Sequence, residues 1–120
     1  MYKVKFYRTK NGESEIVNFL DDLKQRGLTS KTDRINHDKI FAHIGALEWY
    51  GIRIGEPVVA HIEGGIWERR PFANRIFFFY WKYNNFVLLH HITKKTRKTP
   101  PLKVENTRTK MKDFIERNGK

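Results

Sequence analysis

The chain has no cysteine in 120 residues. That excludes disulfide scaffolds, thiolate zinc sites, iron–sulfur clusters and cysteine nucleophiles, and it fits a reducing compartment. No apolar run approaches the ~20 residues that a membrane span needs. The two longest, Arg75 to Trp81 and Phe86 to Ile92, are separated by Lys82-Tyr83-Asn84-Asn85. The opening Met1-Tyr2-Lys3-Val4-Lys5 has no signal-peptide core. A soluble, cytoplasmic chain with no membrane partner is expected. Internal repeats, linkers and low-complexity segments are also missing. At about 100–200 residues per domain, the length predicts one domain over 1–120. Such a domain can bury roughly two thirds of its unfolded surface and fold without staples.

Acidic residues are scarce, 13 against 24 Lys and Arg, for a net charge of +11. The usual partners of such a chain are nucleic acid, an anionic membrane or an acidic protein. The excess is uneven: residues 82–120 hold 11 basic and 3 acidic side chains. A disordered basic tail is not expected there, because Leu102, Val104, Met111, Phe114 and Ile115 share the segment.

Periodicity predicts the elements. Tyr2 to Arg8 alternates as a strand, and Asn11-Gly12 is a turn signal. Ser14 caps a helix whose Ile16, Phe19, Leu20 and Leu23 follow helical spacing up to Gly27. Ser30 with Asp33 resembles a capping box. The helix after it is predicted to face Ile40, Phe41, Ile44 and Leu47 inward and to stop at Gly51. The period then becomes two. Val58–Ile62 and Ile66–Arg70 read as strands about Gly64-Gly65, and Arg75–Tyr83 and Phe86–Thr93 as a hairpin across Asn84-Asn85. Pro100-Pro101 opens a last helix capped by Thr99, with a stripe of Val104, Thr107, Met111, Phe114 and Ile115. Segregated helices and a mostly antiparallel sheet make an α+β fold. The run Phe77 to Trp81 looks like a base-stacking platform, but a run apolar on both faces is expected to be a central buried strand. Trp49 and Tyr50, at a helix end, are expected to be partly exposed.

The chemistry lies in the cations. Strand alternation puts Ile66, Glu68 and Arg70 on one face and Trp67 and Arg69 on the other. If the neighbouring strands pair, Arg70, Arg75 and the basic segment Lys94, Lys95, Arg97 and Lys98 converge at one end of the sheet. Such a cluster holds a phosphate and stabilises added charge on it, although a solvated basic rim would have the same spacing. His37 and His43 stand in no ligand motif. His90 and His91 are adjacent, so a regular strand points them to opposite faces. One is expected to be structural, and the other is a candidate acid or base. The carboxylates form no pair for two-metal hydrolysis, and no GxxxxGK[ST] loop or GxSxG elbow is present. Among enzymes this leaves metal-free RNA cleavage, in which the substrate's 2′-hydroxyl is the nucleophile.

The order of several boxes resembles a known family. Tyr7-Arg8-Thr9-Lys10-Asn11-Gly12 with Ser14 and Phe19-Leu20, then Tyr50-Gly51-Ile52-Arg53-Ile54-Gly55-Glu56-Pro57, is similar to the phage-derived HigB-type branch of the RelE/ParE toxin superfamily. Ile66-Trp67-Glu68-Arg69-Arg70 is similar to its LWELR box and Asn74-Arg75-Ile76-Phe77 to its xYRIxY strand. Val87-Leu88-Leu89-His90, followed by Lys94-Lys95-Thr96-Arg97-Lys98-Thr99-Pro100, is similar to its VLLHxFxKKTxKTP signature. The resemblance implies a compact RelE-like fold and the toxin of a type II toxin–antitoxin pair. It implies a ribosome-dependent mRNA endoribonuclease, or alternatively a ParE-like gyrase inhibitor or a basic nucleic-acid-binding module. The implied partners are a helix-turn-helix antitoxin, the ribosome and mRNA, with no metal and no cofactor. Arg70, Arg75, Lys95, Lys98 and His91 are the expected catalytic group, and Arg69, Lys94, Arg97 and His61 the expected substrate contacts. Three departures stand out. Arg69 replaces an apolar residue of the box, His91 stands where the branch often has a small residue, and no tyrosine follows Lys95. The general base is therefore open between His61, His91 and a lysine of lowered pKa.

Overall fold

The computed structural model describes residues 1–54, 59–69, 74–93 and 101–119, with only the backbone of Arg53, Ile54, Val59, Ala60 and Arg69. The order is β1 (Lys3–Phe6), α1 (Glu15–Arg26), α2 (Lys31–Tyr50), a short 3-10 turn (Gly51–Ile54), β2 (Val59–Glu63), β3 (Ile66–Arg69), β4 (Asn74–Tyr80), β5 (Asn85–Thr93) and α3 (Pro101–Asn118). The strands form one sheet in the order β1-β5-β4-β3-β2. β1 runs parallel to β5, and the other neighbours are antiparallel. The fold is α+β.

Local chemistry bounds α1 and α2 as the sequence predicts, while Thr99, the expected cap of α3, lies outside the described residues. The Ser14 hydroxyl accepts from the Val17 N–H and the Ser30 hydroxyl from the Asp33 N–H, each at 3.2 Å. Each satisfies one of the donors left open in a first helical turn. Gly51 ends α2 at φ 59°, and a Cβ there would lie 2.8 Å from the Tyr2 ring. The chain must turn back beneath Tyr2, so only glycine fits.

Helices α1 and α2 cover one sheet face. Ile16, Leu20, Leu23, Ile40 and Leu47 pack on Ile76, Phe78, Phe86 and Leu88. The opposite face belongs to α3, whose Phe114 packs on Phe79, Val87 and Leu89, with Tyr7, Trp81, Met111 and Ile115 at the margin. Phe77, Phe78 and Phe79 are buried in the central strand β4, which accounts for a run apolar on both faces. Phe41 corrects the expected inward stripe of α2, being 54% exposed. Ile40, Ile44 and Leu47 already span the sheet-facing arc, and Phe41 lies about 100° round from Ile40. Its ring meets His37 instead, 4.6 Å between centroids.

The β4–β5 turn is shifted from its expected position. The strands stop at Tyr80 and restart at Asn85, and the left-handed residues are Tyr83 and Asn84. A second irregularity matters more. Phe77 is opposite His90 but Phe78 is opposite Leu88, so Leu89 is an extra residue in β5. This β-bulge resets the alternation of every residue after it.

Gly51→Ala is expected to destabilise the protein by about 1–3 kcal/mol, through a left-handed backbone and a clash with Tyr2. Gly45→Ala, inside α2 with open space around its Cβ position, is expected to stabilise by about 0.5–1 kcal/mol. Urea denaturation of the two variants checks both signs.

Candidate functional site

Val59 is opposite Arg69, and Asn74 is opposite Thr93. The ends of β3 and β5 and the starts of β2 and β4 therefore meet at one end of the sheet. The basic residues proposed from sequence attach here. Arg70, Lys94, Lys95, Arg97 and Lys98 lie outside the described residues, as does the side chain of Arg69.

Arg75, the second residue of β4, is described. It is 2% exposed and its Nε lies 3.5 Å from Oε1 of Glu68, which is fully buried. Both side chains stand on the α3 face, because Glu68 is opposite Phe77 and Arg75 is two residues from Phe77 on the same strand. A buried guanidinium needs an anion close by, and Glu68 supplies it. On the other face, Asn74 donates through Nδ2 to the Asn36 side chain of α2. The strand pair thus carries polar anchors on both sides at the end from which the basic segments leave.

The bulge at Leu89 decides the histidines. His90 is opposite Phe77 and faces α3; His91 is opposite Ile76 and faces α1. His91 stacks on Phe19 with centroids 4.1 Å apart. His61 is opposite Trp67, with its ring edge-on to that indole and Nε2 2.6 Å from the Gly64 carbonyl oxygen. Trp67 packs with the α1–α2 core, so His61 and His91 both lie on the face away from Arg75. His90, the one assigned to structure by elimination, shares the Arg75 face.

Glu15 gathers these groups. It is the first residue of α1 and reaches β5 beyond the last β1 pair, Phe6 with Leu88. Oε1 accepts from His90 Nδ1 at 2.7 Å and from the Lys110 ammonium of α3. Oε2 accepts from the His91 backbone N–H at 3.3 Å and lies 2.8 Å from His91 Nδ1. Burial opposes the charge on Glu15. The bonds from His90, His91 and Lys110 outweigh it and hold the carboxyl far below the usual carboxylate range. His90 turns Nδ1 to Glu15, and its Nε2 is buried and without a partner among the described residues.

A further tie was invisible in the spacing. The Tyr7 hydroxyl donates to Asp113 at 2.7 Å, and Arg117 bonds both Asp113 and the Arg8 carbonyl. Burial, then the bond and charge of Asp113, push the Tyr7 phenol up. The Lys110 ammonium is 6.0 Å from the Tyr7 ring centroid. A tyrosine therefore does stand beside α3, supplied by the residue just after β1 rather than by the tail. Among the described residues, no three His, Asp or Glu side chains group as a metal site, and no helix is long and apolar enough to cross a membrane.

The family model described as phage derived protein Gp49-like (DUF891) matches residues 18–112. That span holds α1 from Asn18, α2, strands β2–β5 with the Arg75–Glu68 pair, and α3 as far as Lys112, and the chain belongs to this phage-derived Gp49-like family, which is associated with RelE/toxin-like proteins. No curated protein matches the chain.

Two outcomes follow for the buried charges. Arg75→Ala or Glu68→Gln strands one partner and is expected to cost about 3–5 kcal/mol, whereas Glu68→Leu with Arg75→Met costs less than either single change. Additive losses in urea denaturation would contradict this coupling. Glu15 contributes stability that is fully present above its ordinary value of 4.5 and is lost progressively as pH falls below it, because the folded carboxyl resists protonation. Glu15→Gln should lower stability at neutral pH and flatten the acid limb of a Tm-against-pH curve.

Proposed function

We propose that the chain is the toxin of a type II toxin–antitoxin pair and acts as a ribosome-dependent mRNA endoribonuclease of the HigB kind. The observation that carries the reading is the shared sheet end. Arg75 is anchored there by Glu68, and the strand ends leading into the Arg70 and Lys94–Lys98 segments surround it. The family's association with RelE/toxin-like proteins and the positive charge of the chain support it.

In this reaction the 2′-hydroxyl attacks the adjacent phosphate and the 5′-oxygen leaves. The products are a 2′,3′-cyclic phosphate and a 5′-hydroxyl. Charge grows on the non-bridging oxygens, and cations beside them stabilise it. Arg70, Lys95 and Lys98 are assigned that role. Arg69, Lys94 and Arg97 hold the flanking backbone. Arg75, being buried and paired with Glu68, positions the strand end. The imidazole proposed for proton transfer is His90, which shares the Arg75 face, in place of His91 or His61. A helix-turn-helix antitoxin with an acidic segment would neutralise the same end.

The test maps 5′ ends of a reporter mRNA after induction, with its start codon intact or removed. New 5′-hydroxyl ends are expected only in the translated reporter, and not with Arg70→Ala at equal protein level. A 2′-deoxyribose at the cut position should abolish cleavage of that bond in a purified translation system. Growth arrest without new ends, or with altered plasmid supercoiling, would replace the nuclease with a gyrase-directed or purely binding toxin.

A further inference from the structure

The other end of the sheet carries an unexplained feature. Tyr83 and Asn84 both have positive φ, 59° and 60°. Successive left-handed residues suit a tight hairpin turn, and Asn adopts them readily, but a bulky Tyr does so at a cost that Gly or Asn would avoid. Packing does not repay that cost, since Tyr83 is 80% exposed. The backbone of the turn is tied down all the same, and a cation lies near the ring. The Asn84 N–H donates to the Tyr80 hydroxyl, Asn85 Nδ2 donates to the Lys82 and Tyr83 carbonyls, and the Lys82 ammonium sits 5.6 Å from the Tyr83 ring centroid.

Cations and further rings surround the turn. Lys82 and Lys5 lie 5.2 and 5.6 Å from the Trp81 ring centroid. Tyr80 and Trp49 are exposed, and Trp49 lines a cleft of about 200 Å³ with Met1, Tyr2 and Asn84. Residues 1–6 and 80–87 contain Lys3, Lys5 and Lys82 and no acidic residue. Exposed rings interleaved with lysines can stack bases while neutralising the backbone between them.

We propose that the β4–β5 turn is a binding platform for single-stranded RNA, with Tyr83 stacking on a base and Lys82 and Lys5 contacting phosphates. Asn85 to Thr93 is eight steps of about 3.3 Å, so the platform lies about 26 Å from the cationic end. It anchors RNA at a distance from the scissile bond. The choice of RNA rests on the reading above; the turn geometry does not.

The test measures binding of a short fluorescein-labelled 2′-O-methyl RNA, which cannot be cleaved, across a salt series. Tyr83→Gly is expected to weaken binding about 5- to 150-fold while keeping or raising Tm, because glycine relieves the backbone. Tyr83→Phe keeps the ring and should retain affinity. Lys82→Ala should reduce the salt slope by about 0.7, and Lys112→Ala on α3 should leave the affinity unchanged. Wild-type affinity in Tyr83→Gly overturns the platform, which is also the result if the turn seats a protein. Equal losses in Lys82→Ala and Lys112→Ala overturn it too. Binding lost in Tyr83→Gly from a wild type that cuts no mRNA would uphold the platform and remove the nuclease. Cleavage by a wild type that shows no Tyr83-dependent binding would do the reverse.

Discussion

One carboxylate joins the three layers of this molecule. β1 pairs with β5 only as far as Leu88, yet β5 continues to Thr93. Beyond that point the described edge of β5 has no strand beside it, and its open N–H groups need an acceptor. Glu15 supplies one to His91 from the first turn of α1, where the helix dipole already favours an anion. The same side chain bonds His90 on one face of the sheet, lies against His91 on the other, and accepts Lys110 from α3. Glu15 therefore ties α1, the two adjacent histidines and α3 together at one point.

From that clamp the two sheet faces acquire different characters. The α1–α2 face is a conventional apolar core. The α3 face mixes Phe79, Val87 and Leu89 with the buried Arg75–Glu68 pair and His90. Buried ion pairs add little net stability over apolar packing, and removing one member is costly. Their value here is placement, because the pair fixes the polar end of β4 where the basic segments leave the sheet. The opposite end, at Tyr83, is aromatic and lysine-rich with a strained backbone. The central strands hold the two ends at a fixed separation, which suits a single extended polymer that contacts both ends.

Much of the fold was legible because its signals are local. Ser14 and Ser30 cap as their positions predict, Gly51 stops α2, and Phe77–Phe79 are buried in the central strand. What could not be read depends on contacts distant in sequence. Alternation through β5 would place His91 beside Arg75, and the single extra residue Leu89 reverses this, bringing His90 there instead. Glu15 reads as one of several scattered carboxylates until β5 and α3 fold against it. Tyr7 is 106 residues from its partner Asp113, so a search of the tail for a tyrosine had to miss it. Arg70, Lys95 and Lys98 lie outside the described residues; the pairing of β3 and β5 with β4 brings the strand ends that precede them to one end of the sheet.

The central claim is that RNA meets the two ends of the sheet, with the cationic end at the scissile phosphate. A cryo-electron microscopy structure of the chain on a ribosome whose mRNA carries a 2′-deoxyribose at the cleavage position tests it most directly. If the claim holds, density places the Arg75 end of β4 over the uncut phosphate and the Tyr83 turn against RNA. Density that seats the chain by the outer face of α2, or leaves the Arg75 end turned away from the mRNA, would contradict it.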